Sequence, residues 1–334
     1  MFFEIVALII LAVLFSFAAA PISISLAWRF RLIDDPGSEA HKTHKSPMPR
    51  AGGIIIFIVI VFGIVVSGIL MSPPVMSIVL ASIIILAFGV WDDINGILAP
   101  WKIFGQALAT LFLISQGIQV HFLGNAFLNI FFTFFWIIGI TNAFNLVDSM
   151  DGLAAGLGGI TAFFLIFGTF YSGQESLTFL SAILLGACIG VFYFNYSLSR
   201  LFLGDSGAQL LGFTLAALAL VYIPPGLPQA SSWFVPILLF SIPIFDTTLV
   251  TVSRLRRNLP VYRAARNHTY HRFVALGMSP QRSVLTMHLG AILIDCLAFV
   301  ALNLSPVWAN ILFGLILLSG FLAIVWLDSE KRVK

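Results

Sequence analysis

Long apolar runs, broken at intervals by short polar clusters, organise this chain. Runs of membrane-spanning length fall at residues 3–28, 53–71, 75–91, 103–118, 126–142, 153–171, 177–195, 207–223, 233–252, 284–303 and 307–327. The pattern predicts an all-α integral membrane protein of about eleven transmembrane helices, the fourth of them short and interrupted by Gly105. No basic region precedes the first run, so it is expected to be a retained helix and not a cleaved signal. The connecting segments show no low-complexity stretch and no soluble domain, so residues 1–334 are expected to form a single polytopic membrane domain.

Composition agrees. Of 334 residues 60% are hydrophobic and 9% charged, whereas a soluble globular domain is about half apolar and a quarter charged. Cys188 and Cys296 lie inside apolar runs and imply no disulfide framework. Charge placement then orients the chain. If segments between runs are assigned alternately to two sides, all 17 Lys and Arg fall on the side that follows the first run. By the positive-inside rule this predicts the N-terminus outside and the C-terminus in the cytoplasm. Eleven of the 14 acidic residues gather in or beside the same segments, the exceptions being Glu4, Glu175 and Asp295. Acidic residues do not follow the topology rule, so their gathering there calls for a chemical cause. The net charge of +3 suits an anionic membrane leaflet or anionic substrates.

Five polar segments carry that chemistry. In ITNAFNLVDSMDGLAA, Asn142, Asn145, Asp148 and Asp151 recur every three residues at the end of an apolar run. Such a row suits helix capping, but four together inside or beside a membrane segment are by default a site. In FGVWDDINGILAPWK, the adjacent carboxylates Asp92 and Asp93 suggest a bound cation or a working base, against the alternative of an Asx turn. Lys102 can neutralise an anion there. In FNYSLSRLFLGDSGA, Asp205 lies between glycines that permit close approach of a ligand, and its carboxylate is a hard donor for Mg²⁺. Asn195 and Phe202 precede it as candidate base-recognition groups. The first polar loop offers His44, Lys45 and Arg50 for phosphate or carboxylate. The last offers Arg266, His268 and His271, in which flanking arginines favour an anion over Zn²⁺; Arg254, Arg256 and Arg257 read as topology anchors. Together these suit a divalent cation and a multiply charged phosphate substrate, with the membrane supplying a lipid as the other substrate.

In their order, the segments resemble the polyprenyl-phosphate N-acetylhexosamine-1-phosphate transferase family, from about Asp34 to Gly277. The marks are the DDP…HKSPMPRAGG loop, WDD with the following lysine, NAFNLVDSMDG, FLGDSGA, PIFDT and the HTYHR arm. The resemblance is to the bacterial undecaprenyl-phosphate GlcNAc-1-phosphate branch, which implies eleven spans in the inner (plasma) membrane. The alternative MurNAc-pentapeptide branch typically carries three consecutive histidines in the arm. The resemblance implies attack of a polyprenyl phosphate on a UDP-N-acetylhexosamine, with Mg²⁺ (or Mn²⁺) as cofactor. It further implies Asp92 as base with Asp93 beside it, Asp205 as metal ligand, and Asn145 and Asp148 organising diphosphate and metal. Asp151, Asn195 and Phe202 match uridine-binding positions, and His268, His271 and Arg266 match contacts to the diphosphate or sugar. It also implies a homodimer and no nucleic-acid partner. Tyr270 in the arm, Ala265 ahead of it and His41 in the first loop depart from the family pattern, and all three bear on which sugar is used. The competing class is a transporter or flippase with an acidic cation site, which would show related halves and mid-membrane charges; no repeated half is present. A third reading, an inactive scaffold, sits poorly with five intact aspartates at these positions.

Overall fold

The computed structural model describes residues 1–36, 46–222, 232–260 and 267–329. These residues gather into two compact units, the first from 1–36 and 46–222, the second from 232–260 and 267–329. The first unit contains α1 (Phe2–Arg29), β1 (Ile33–Asp34), β2 (Met48–Pro49), α2 (Gly52–Ser67), α3 (Pro73–Asn95), α4 (Ala99–Ser115), α5 (Ala126–Val147), α6 (Leu153–Tyr171), α7 (Glu175–Phe192) and α8 (Gly204–Val221). The second contains α9 (Val235–Leu239), α10 (Ser241–Arg256), α11 (Thr269–Ala275), α12 (Pro280–Leu302) and α13 (Pro306–Leu327).

The protein is an all-α membrane protein in which, among the described residues, helix covers most of each predicted run. Among the described residues, eight helices are long and apolar enough to cross a membrane: α1, α3, α5, α6, α7 with its continuation to Ser197, α8, α12 and α13. Three expected spans differ from the pattern in length or continuity. The run at 53–71 is helical only to Ser67, because Gly68 turns left-handed (φ 72°) and a short 3₁₀ turn follows. The run at 103–118 starts earlier, at Ala99 beside Pro100, and ends at Ser115. The run at 233–252 is broken at Phe240 into α9 and α10.

Sequence punctuation explains the boundaries. Pro73, Pro280 and Pro306 open their helices at the first position, where the missing N–H is no loss. Gly96 (φ 63°) closes α3, in the left-handed conformation that glycine adopts without a Cβ penalty. Between α7 and α8 the chain makes a π turn, Tyr193–Ser197, a feature that clusters at functional sites.

The first unit is built around α8. Every residue from Ser206 to Ala219 is buried, as expected of a helix apolar on all sides. It packs on α2, α3, α5 and α6. Small residues permit this close approach: a Cβ at Gly89 of α3 would lie 2.5 Å from the Ser206 Cα. The two-residue strands pair antiparallel, Ile33 with Pro49 and Asp34 with Met48, and Arg50 continues as a bridge to Phe202. In the second unit, Phe234 stacks on Phe313 at 4.8 Å. Ser279 caps α12 by accepting from the Arg282 N–H.

Gly89→Ala should therefore wedge α3 from α8 and cost about 1–3 kcal/mol. Gly139→Ala, where an added Cβ meets nothing within 4 Å, serves as the control. Thermal unfolding in detergent should show a lowered Tm for the first variant and an unchanged one for the second.

Candidate active site

At the end of α3, Asp93 turns both carboxylate oxygens onto the start of α8. It accepts from the backbone N–H of Asp205 (2.9 Å) and of Ser206 (3.0 Å). A carboxylate on first-turn amides also meets the positive end of the helix dipole. Arg50 closes the other side, donating to the Asp93 carbonyl at 3.2 Å and pairing with Asp34. Burial works against the Arg50 charge, and Asp93 and Asp34 more than offset it, so the guanidinium is held above its ordinary pKa.

Asp92, one residue back, accepts from the Ile97 N–H at 2.9 Å and pairs with the Lys102 ammonium. Lys102 also lies 3.0 Å from Asp205. One ammonium thus bridges carboxylates from α3 and α8. Asn145 of α5 is a further hydrogen-bond partner of Asp205. Asp148 follows directly, at the C-terminal cap of α5. Removal from water pushes its carboxyl well above the usual range, and the charges of Asp205, Asp151 and Asp93 push it further. So Asp92, Asp93, Asp148 and Asp205, from three helix ends, form one electrostatic cluster. With Asp34 and Asp151 there are six carboxyl groups around two cations, Arg50 and Lys102, among the described residues.

Other expected site residues are placed differently. Asn195 is buried and committed to backbone: its Oδ1 accepts from the Gly152 N–H and its Nδ2 donates to the Leu201 carbonyl. It therefore ties the turn carrying Asp151 to the segment before α8. Asn142 points into the helix packing, donating to Gln106 (2.7 Å) and to Ile138 (2.8 Å). Phe202 is half-buried, and its backbone joins Pro49 and Gly52. His44, Lys45 and Arg266, with His41 and Ala265, lie outside the described residues.

In the second unit, His268 Nδ1 is 2.8 Å from buried Asp246, which also accepts from the Thr269 N–H at 2.6 Å. The pair fixes the His268 ring at the start of α11. Tyr270 meets His271 Nε2 at 2.6 Å. Arg256 and Arg257 both pair with Asp328, which Arg272 also contacts at 3.1 Å. The first two are thus ion-pair partners and not merely topology markers. Sequence reasoning missed Asp246 and Asp34 as site-forming residues. For Asp246 the signal was available, since a lone carboxylate in an apolar run needs a partner.

Fold and site together define a class: a multi-pass helical membrane enzyme with paired carboxylates and cations at its helix ends. The sequence model of glycosyl transferase family 4 matches residues 75–223, the stretch that holds Asp92, Lys102, Asp148 and Asp205. A probable undecaprenyl-phosphate N-acetylglucosaminyl 1-phosphate transferase of Bacillus subtilis (strain 168) is 31% identical, over 96% of this chain and 91% of its own. A decaprenyl-phosphate N-acetylglucosaminephosphotransferase of Mycobacterium tuberculosis is 28% identical over 94% of this chain and 86% of its own. A phospho-N-acetylmuramoyl-pentapeptide-transferase of Limosilactobacillus fermentum is 31% identical, but over only 40% of this chain and 46% of its own. The chain belongs to glycosyl transferase family 4 and is an enzyme of the glycosyl-1-phosphate transferase type.

Two outcomes follow from this geometry. Asp148 is more protonated in the folded than in the unfolded chain, so folding loses stability as pH rises above the ordinary carboxylate range. In EDTA, Asp148→Asn should raise the Tm at pH 8 over that of the parent protein, with the gain shrinking toward pH 4. Asp246→Asn should loosen the hold on His268 and the Thr269 N–H and cost about 1–3 kcal/mol of stability, as loss of a buried hydrogen-bonded partner does. Thermal unfolding in detergent would show a lowered Tm.

Proposed function

We propose that the protein transfers N-acetylglucosamine-1-phosphate from UDP-N-acetylglucosamine to undecaprenyl phosphate, or another polyprenyl phosphate, with Mg²⁺. The lipid diphospho-sugar would serve cell-envelope polysaccharide synthesis. The observation that carries this reading is the Lys102 bridge between Asp92 and Asp205 inside a surplus of carboxylates. The first two relatives named above, matched over nearly their whole length, carry names of this activity. The muramoyl-pentapeptide alternative rests on the shorter match.

The donor chemistry fits Mg²⁺. Among the described residues no three His, Cys, Asp or Glu side chains enclose an ion by themselves. Mg²⁺ usually binds through one or two carboxylates plus substrate phosphates and water. Asp205, with Asn145 and Asp148 nearby, would hold it. When bound, it would offset the repulsion between two anionic phosphates.

The reaction joins a lipid phosphate oxygen to the sugar-bearing phosphorus of the donor and breaks the bond from that phosphorus to the oxygen retained by UMP. Asp92 stands ready to hold a proton from the lipid phosphate. A phosphate monoester with second pKa near 6 is already largely ionised at neutral pH, so positioning outweighs proton removal. Lys102, freed from Asp205 as anionic substrate arrives, would bind phosphate oxygens. Arg50 and Asp93 keep the start of α8 in place. We assign eleven crossings of the inner (plasma) membrane, with the N-terminus outside.

Purified protein given Mg²⁺, UDP-N-acetylglucosamine and undecaprenyl phosphate should release UMP, and EDTA should stop it. Asp205→Asn should cut the release by at least about 100-fold, in the range of losses from removing a preorganised electrostatic group. No UMP from the parent protein across a panel of UDP-sugars would overturn the reading.

A further inference from the structure

One turn behind the charged cluster lies a second polar layer that the reaction does not use. Lys102 is followed at i+4 by Gln106, and Asp205 at i+4 by Gln209. Asn145 is preceded at i−3 by Asn142. Helices α4 and α8 begin at the charged cluster and α5 ends there. Stepping four residues forward on α4 and α8, or three back on α5, therefore stays on the same helix face and moves one turn deeper. The three amides meet at that depth. Asn142 donates to Gln106 Oε1 at 2.7 Å, and Gln106 Nε2 donates to Gln209 Oε1 at 3.0 Å. Gln106 and Gln209 are each only 1% exposed.

The direction of this row is fixed. Asn142 gives its amide hydrogens to Gln106 and to the Ile138 carbonyl. Gln106 therefore accepts from Asn142 and has only its own N–H to give. Gln209 must then present its oxygen, which leaves its Nε2 buried without a partner among the described residues. Amides buried in an apolar helix bundle are costly unless paired, and this row leaves one donor unmatched. Apolar side chains at these positions would avoid that cost. What apolar side chains do not provide is rotational register: a buried polar contact fixes how facing helices are turned against one another, and polar side chains join helices across membranes.

We propose that Gln106 is a positioning residue for the transfer reaction. Its bonds to Gln209 and Asn142 set the rotation of α4, α5 and α8, so that Lys102, Asp205 and Asn145 face one point. This rests on the phosphate-transfer reading above.

The test uses full-length protein in detergent with the UMP-release assay. Gln106→Leu breaks both bonds and should lower kcat about 10- to 100-fold, the scale of a small misplacement caused far from the chemistry, with KM for the UDP-sugar changed less than about 3-fold. Gln209→Leu should lower kcat less, and the double variant should be no slower than Gln106→Leu, because residues acting as one unit are not additive. Gln106→Glu adds a signature that a purely structural role would not give. A neutral carboxyl can still accept from Asn142 and donate to Gln209; a carboxylate cannot donate. The nearest charged groups, Lys102 on α4, Asp92 on α3, Asp205 on α8 and Asp148 at the end of α5, remain as in the parent. The activity of Gln106→Glu relative to the parent at the same pH should thus be close to one at acid pH and fall as pH rises. A parent that releases no UMP overturns the functional reading. An active parent with Gln106→Leu at parental kcat, a double variant equal to the product of the singles, or a pH-independent Gln106→Glu ratio overturns the positioning role. Should Gln106→Leu fail to fold, the Gln106→Glu ratio decides alone.

Discussion

The contact on which the first unit depends is the one between the Asp93 carboxylate and the two leading amides of α8. A helix start leaves unpaired N–H groups, and in an apolar surrounding each must find an acceptor. α8 finds it in another helix and not in its own cap. The same bond sets where Asp205 points, because Asp205 supplies one of the two donating amides. Gly204, left-handed at φ 75°, would bring an added Cβ to 2.9 Å from the Asp93 carboxylate, so the closeness of α3 to α8 requires glycine there. Structure and chemistry are thus joined at neighbouring carboxylates: Asp93 holds the helix, and Asp92 pairs with Lys102.

The charged cluster is stable for a related reason. Carboxylates close together repel, and the repulsion grows in a medium of low dielectric. Lys102 and Arg50 limit it, each reaching two acidic groups. The negative surplus that remains is expressed in the raised Asp148.

Helix positions were legible because apolar run length is a local property. Phe240 illustrates the limit: the run at 233–252 reads as continuous, yet the chain breaks there into α9 and α10. The acids of the site were legible too, because a carboxylate at the end of an apolar run has few cheap alternatives. The carboxamides were not. Asn142 and Asn145 stand three apart in one row, yet Asn142 serves helix packing while Asn145 meets Asp205. Asn195 looked like a base-recognition group, but both ends of its amide hold backbone. An amide is satisfied equally by ligand, side chain or backbone, so its residue type does not reveal its partner. Asp34 was hidden for a different reason: its partner Arg50 is brought to it by a two-residue strand pairing, too short to leave a pattern.

The arrangement of helix directions links these points. The charged residues sit at the starts of α4 and α8 and at the ends of α3 and α5. The positive dipole ends of α4 and α8 favour anions, while the ends of α3 and α5 favour cations. One small volume thus suits a phosphate on one side and a metal or ammonium on the other before any side chain is counted. Helix ends are also where a chain leaves the apolar layer, so charge placed there avoids the larger cost of charge in mid-bilayer. An enzyme of the glycosyl-1-phosphate transferase type, acting on a polyprenyl phosphate at the membrane surface, has the same requirement for its site. The fold meets it by bringing four helix ends together, with the buried amides of α4, α5 and α8 one turn deeper.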